Sequence, residues 1–402
     1  MITSLNIEYF KSLNDFNLSF SSFNVLVGNN ASGKSSVLHA LDFLLRSVSE
    51  DFSSVIAQRG LTVSDIVSKL RPKRQIRFIS EYTLFVNDEN SHLRWELCID
   101  VSGKENLMKL AFEQITDLDN DKILLSYDED RKLCIEDGDG PKREYPMLSL
   151  NSSSLKIAVD VEKELKIQKL VALKRFLISS CSYDMLSPSE MRQSSRGRTT
   201  SIGTSGRDLA AFIKSMTNEQ KESFMKTIHS LLGNKCFESV EAHTKGKPGW
   251  TTIEVVEIYG NKKVRISSKG MSDGMLRLLA FVAINEMDSE SSLILLDEIE
   301  NGINSNYAEK LIDLMQHSYD IKRRQIIVTT HSTAFLDYVD PENIIYLYRD
   351  EKTGFSKAVK LLDIGGMKER IEYMYPGEVF MNLSNADIMN VLMKREDRDD
   401  VD

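Results

Sequence analysis

The sequence contains no run of about eighteen apolar residues anywhere in its 402 positions, which argues against a membrane-spanning helix. The opening stretch from Met1 to Phe16 has no basic region followed by an apolar core and a small-residue cleavage site, so no secretory leader is expected. Cysteine is sparse. Cys98, Cys134, Cys181 and Cys236 are scattered without C-x-x-C spacing, and they read as reduced structural thiols of a cytoplasmic protein rather than zinc ligands. Excess positive charge is also missing. The net charge of −9 gives no general support for nucleic-acid binding, although a local basic groove remains compatible with it. There is no internal repeat and no sustained heptad run. His39, His92, His229, His243 and His317 show no metal-ligand spacing.

What is present fits a globular protein. Hydrophobic residues make up 41% and charged residues 28%. The length suggests about two or three domains. Ile2, Leu5 and Ile7 and then Leu18, Phe20 and Phe23 read as strands, and Asn24–Val27 as a short buried strand ending at Gly28. Val37, Leu38, Leu41, Leu44 and Leu45 make one helical face. Residues 75–160 are strand-like stretches separated by turn residues, which predicts an antiparallel sheet. Residues 161–232 are helical in pattern, interrupted by a loop rich in Ser, Gly and Arg. A hairpin turning at Gly260-Asn261 follows, then buried-strand candidates at 293–296, 326–328 and 344–347. The charged ending Arg395–Asp402 reads as a disordered tail.

Two motifs carry chemistry. Gly28-Asn29-Asn30-Ala31-Ser32-Gly33-Lys34-Ser35, with Ser36 following, fits G-x-x-x-x-G-K-[ST] between an apolar strand and an amphipathic helix. Glycines let backbone N–H groups approach phosphate oxygens, and the helix start adds positive potential. Lys34 supplies charge for the β- and γ-phosphates, and Ser35 offers a hydroxyl to Mg²⁺. The second motif is Leu293-Ile294-Leu295-Leu296-Asp297-Glu298, a buried strand ending in two carboxylates. Asp297 is expected to hold Mg²⁺, and Glu298 to orient and deprotonate the attacking water. Together they supply both halves of a Mg-ATP site.

With these residues the chain resembles the ABC-type ATPase heads of the RecF, SMC and OLD groups, and most closely the stand-alone OLD-like "AAA" ATPases of bacterial antiphage defence, including the PtuA group. The resemblance rests on motif order: the phosphate loop, then Ser267–Arg277 around Ser272-Asp273-Gly274, then Asp297-Glu298, then the turn Glu300–Asn304, then Thr329-Thr330-His331-Ser332. It implies an α/β fold of the ABC-type P-loop head, with a mixed sheet, an antiparallel β subdomain and a helical lobe. The expected divisions are 1–75 (ATPase core with the phosphate loop), 76–160 (β subdomain), 161–249 (helical lobe), 250–350 (rest of the core) and 351–402 (C-terminal extension and acidic tail).

The resemblance also implies roles. Ser272, Asp273 and Gly274, at a helix start suited to anions, would meet the γ-phosphate bound by a second copy, making each ATP the glue of a homodimer. His331 would read the γ-phosphate, and Gln58, in Gln58-Arg59-Gly60, would stand near the metal. Asp273-Gly274-Met275 departs from the transporter-type Gly-Gly-Gln. Ile299 and Asn304-Ser305 depart from the proline and His-Pro usual in OLD-like heads. No SMC arm and no Toprim pattern follows, so a toxic or nucleolytic activity is expected on a separate partner. Arg192, Arg196, Arg198 and Arg207 are the basic group best placed to contact nucleic acid or an acidic partner. Arg71, Lys73 and Arg74 form a second group, and Lys322, Arg323 and Arg324 read as surface punctuation. The expected function is a dimeric, nucleotide-gated ATPase switch for a separate effector such as a nuclease. The alternatives are a RecF-like clamp on DNA and a non-hydrolysing scaffold.

Overall fold

A computed structural model describes residues 1–136, 142–147, 149–161, 167–183, 186–233, 236–244, 249–288 and 292–382. The expected acidic tail lies outside the described residues. The fold is α/β, with a mixed sheet and an antiparallel sheet.

The mixed sheet has the order Cys181–Tyr183, Ser292–Leu296, Arg324–Thr329, Phe23–Val27, Ile344–Arg349, Ser356–Lys360. The first five strands run parallel and the last is antiparallel. Phe23–Val27, Ser292–Leu296 and Arg324–Thr329 are buried at every residue. Their largely apolar runs, with Asn24, Ser292, Arg324, Gln325 and Thr329 as buried polar exceptions, suit strands covered on both faces. Alternate residues serve different cores. Leu26, Leu293, Leu295 and Ile327 pack with the helix Lys34–Ser47, while Val25, Val27, Ile294, Leu296 and Val328 pack with the helix Asp273–Glu286. Because these strands are parallel, their carboxyl ends share one edge, the edge where such sheets hold ligands.

The antiparallel sheet has eight strands, and here the structure differs from the expected division. The strands of residues 75–146 do not stand apart from the N-terminus. Ile2–Glu8 pairs with Gln75–Val86, Leu5 opposite Ser80, and Phe16–Ser19 extends the edge. Backbone pairing therefore places the first two strands in this sheet and not in the mixed one. Its inner face is built by strict alternation along Gln75–Val86 and by Trp95, Leu97 and Ile99, all fully buried. Glu113 is fully buried in the same layer, accepting hydrogen bonds from Trp95 Nε1 (2.7 Å), Ser153 Oγ (2.6 Å), Ser154 N (2.6 Å) and Ser154 Oγ (2.6 Å).

The region 161–249 is not wholly helical. Phe237–Thr244 pairs with Trp250–Tyr259, which carries the hairpin to Lys262–Ser267, and Ser195–Arg196 joins the same third sheet. Arg324 corrects the reading of its basic group as surface. It is fully buried, and its guanidinium donates to the carbonyls of Ile284 (2.9 Å), Asn285 (2.8 Å) and Met287. It thus caps the C-terminal end of the helix Asp273–Glu286, where orphan carbonyls need donors. Among the described residues, no helix is long and apolar enough to cross a membrane.

Candidate functional site

The strand Phe23–Val27 delivers its chain into Gly28–Gly33, and the helix Lys34–Ser47 leaves it. Gly28 takes φ 149° and Gly33 φ 111°, and neither position has space for a side chain. The helix starts with no acidic residue in its first turn and no side-chain cap, so its first N–H groups lack intrahelical acceptors. Ser32 is 3% exposed and its hydroxyl has no hydrogen-bond partner among the described residues. Lys34 is 6% exposed, and its ammonium donates to the carbonyls of Gly28 (2.8 Å) and Asn29 (3.0 Å). Asn29 and Asn30 complete the loop at exposed positions. A cradle of N–H groups, an orphaned buried hydroxyl and a folded-back lysine fit a polyphosphate.

The acidic strand end meets this loop. Ser35 Oγ donates to Asp297 Oδ2 at 3.2 Å, and the Thr329 hydroxyl donates to Asp297 Oδ1 while accepting from Glu298 N at 2.8 Å. One hydroxyl and one carboxylate are hard oxygen donors suited to Mg²⁺ shared with phosphate. Glu298 adopts φ 49°, a left-handed conformation that costs a residue bearing Cβ. Thr329 and Asn301, whose Nδ2 donates to Glu298 Oε2, hold it there. Glu300 accepts from Thr330 Oγ1 (2.8 Å) and from the His331 N–H (2.6 Å), which fixes the backbone of the exposed His331.

The helix Asp273–Glu286 begins at Ser272, whose Oγ accepts from Met275 N at 3.2 Å. Ser272 and Asp273 are exposed. An ideal Cβ on Gly274 would stand 2.4 Å from the Gly302 carbonyl oxygen, so this helix start and the turn after Glu298 touch backbone to backbone. Arg277 lies over that turn; burial holds its guanidinium below its ordinary range, against the pull of Asp273 and Glu298.

Two expected residues are placed elsewhere. Gln58 exchanges hydrogen bonds with Arg46 and Glu50 (2.6 Å to Glu50), at the far end of the helix Lys34–Ser47, roughly 16 Å along the axis from Ser35. It is not brought to the metal position. Arg192 is not a free surface cation either: it donates to Asp273 Oδ1 (2.6 Å) and the Met271 carbonyl (2.9 Å), bracing the helix start at Ser272. Arg207 lies 3.8 Å from Glu190, while Arg196 and Arg198 are exposed. Conversely, Thr329, Glu300 and Arg277 stand in the sequence only as members of motifs, with no individual role assigned, and Arg192 has there a partner-binding role in place of its brace on the helix start. The polar run after the apolar strand signals Thr329; nothing local signals the contact of Arg192 with Asp273.

Lys34 has a measurable consequence. Burial lowers its ammonium to about 8 from 10.5, outweighing the opposing pull of Asp297, Glu298 and Glu300. A bound triphosphate favours the charged form and so raises this value. Above about 8 nucleotide binding should therefore take up a proton, and affinity should fall as pH rises from there. Calorimetry at about pH 9 in two buffers of different ionisation enthalpy checks this. Buffer-independent heats there would remove Lys34 from the phosphates.

Residues 1–136 match the family model described as "AAA ATPase domain", and residues 186–337 match "AAA domain, putative AbiEii toxin, Type IV TA system". No curated protein matches the sequence. Among solved structures, the Smc head bound to the C-terminal winged-helix domain of ScpA superposes with TM-score 0.51 at 18% identity, covering 89% of this chain and 97% of that one. The SMC head domain from Thermotoga maritima gives TM-score 0.45 at 13% identity, covering 89% and 98%. The Pyrococcus furiosus Smc head with an extended coiled coil, bound to the C-terminal domain of ScpA, gives 0.47 at 15%, covering 92% and 99%. Two segments of the chain thus match AAA ATPase family models, one with the phosphate loop and one with the acidic strand end, on an ABC-type fold similar to an SMC head.

Proposed function

We propose that this chain binds Mg-ATP, hydrolyses it, and uses the cycle to close and reopen a homodimer that controls a separate effector, a nuclease by its chemistry, in antiphage defence. The observation that carries the ATPase part is the meeting of Ser35 with Asp297 at 3.2 Å beside the buried Lys34, which joins two segments far apart in sequence into one nucleotide site. Ser35 and Asp297 would hold Mg²⁺, which supplies charge neutralisation on the phosphate oxygens. Lys34 and the loop N–H groups grip the phosphates. Glu298, held by Asn301 and Thr329, orients a water against the γ-phosphorus and takes its proton as the bond to ADP breaks. His331, whose backbone N–H is held by Glu300, would sense the γ-phosphate. Exposed Ser272 and Asp273 at a helix start support a site completed by a second copy. The toxin description of one matching family model supports a role in biological conflict.

Light scattering and phosphate release test this together. ATP with Mg²⁺ should double the mass of the purified chain, ADP should not, and Ser272→Arg should abolish the doubling. Nucleotide failing to bind at about millimolar levels sinks the ATPase reading. Binding without phosphate release leaves the non-hydrolysing scaffold in its place.

A further inference from the structure

The strand Ile344–Arg349 lies beside Phe23–Val27, so its last residues run along the phosphate loop. The approach is close. An ideal Cβ on Gly28 would stand 2.1 Å from the Leu347 carbonyl oxygen, and one on Gly33 would stand 2.2 Å from Ser356 Oγ. Ser356 is fully buried; its N–H donates to the Ser12 carbonyl (2.9 Å) and its hydroxyl lies 2.8 Å from Ser12 Oγ. The hairpin Ile344–Lys360 therefore forms a fixed wall behind the loop.

Arg349 reaches from that wall to the loop. Its Nε donates to the Ala31 carbonyl at 2.8 Å and its Nη1 to the Gly354 carbonyl. The turn presenting Gly354 is itself closed, with Gly354 N–H on the Asp350 carbonyl (2.7 Å) and the Asp350 carboxylate accepting from Lys352 N (2.7 Å). Ala31 takes φ 64°, a left-handed conformation uncommon for a residue with a Cβ. The next N–H, of Ser32, donates to the Asn29 carbonyl at 3.1 Å. The Ala31–Ser32 peptide is thus held at both ends. Rotation of that peptide would swing a carbonyl dipole toward the space faced by the orphaned Ser32 hydroxyl and the helix N–H groups, where it would repel an anion.

We propose that Arg349 is a positioning residue for the phosphate loop, keeping the Ala31 carbonyl outward so that the loop stays in its anion-binding shape. This rests on the reading of Gly28–Ser35 as a triphosphate site. Arg349 acts through the loop and touches neither base nor sugar.

The test titrates the full chain, as wild type, Arg349→Ala and Arg349→Lys, with ATP and with inorganic tripolyphosphate, and follows phosphate release at steady state. Alanine should weaken both ligands by about tenfold, the effect of losing one charge-assisted hydrogen bond. It should raise KM by a similar factor and leave kcat within about twofold. Lysine should recover part of the loss. Should alanine unfold the chain, Arg349→Gln carries the same expectation. Unchanged affinity for both ligands overturns the proposal. A loss confined to ATP also overturns it, because the guanidinium would then be contacting the base or sugar. Wild type binding neither ligand would remove the triphosphate reading, and the proposal with it.

Discussion

Glu298→Gln should lower ATP turnover by roughly two to four orders of magnitude, the range of a lost general base, while leaving ATP affinity nearly unchanged. The substitution keeps the size of the side chain and an oxygen that can accept from Asn301 Nδ2. It does not disturb the backbone bond from Glu298 N to Thr329 Oγ1. Position is therefore conserved and only proton acceptance is lost. If hydrolysis reopens the dimer, this variant should remain dimeric in ATP long after wild type has returned to monomer. Phosphate release and light scattering on the same sample report both effects. Turnover near the wild-type rate would transfer the base role elsewhere, with Glu300 the next carboxylate to examine.

Glu113→Ala should be among the most destabilising single changes in the protein, by about 3–5 kcal/mol, the order expected from unmet buried donors together with a core cavity. The carboxyl is fully buried and accepts from Trp95, Ser153 and twice from Ser154. Alanine leaves those donors without an acceptor and opens a cavity, and each buried unmet donor costs about 1–3 kcal/mol. Glu113→Gln should cost less, because one acceptor oxygen remains and the serine hydroxyls can turn. Burial pushes the Glu113 carboxyl above its ordinary 4.5, against the pull of Ser153, Ser154 and Trp95. A raised folded value means the native state holds the proton more tightly. The stability it contributes is thus full below 4.5 and declines as pH rises through the folded value. Denaturant melts of wild type and Glu113→Gln across that range should converge or cross as pH rises. A gap that widens with rising pH would contradict the burial argument.

The parts of the site legible in the sequence are those made locally. Gly28–Ser35 encodes strand, loop and helix start in eight consecutive residues, and Leu293–Glu298 encodes a buried strand and its polar exit. Period and residue type suffice for both. Thr329 was visible as a strand end, but its role as a bridge between Asp297 and Glu298 depends on two parallel strands being neighbours. Arg349 meets Ala31 across 318 positions, and no local pattern announces such a contact. Gln58 shows the reverse failure. Its place in the motif order suggested the metal, but its side chain is held by Arg46 and Glu50 at the distant end of the helix. The first two strands misled for a related reason. Their apolar spacing marks strands but does not say which sheet will take them, and Gln75–Val86 offers Ile2–Glu8 a longer partner.

The strand Phe23–Val27 has only two sheet neighbours, Arg324–Thr329 and Ile344–Arg349, and both come late in the chain. During synthesis the phosphate loop therefore stays unframed until both of those later strands have left the ribosome. A nascent chain halted before residue 324 should be unable to grip nucleotide, so ATP cannot act as a folding template for the segment that carries the loop and can select only chains in which the later strands have docked.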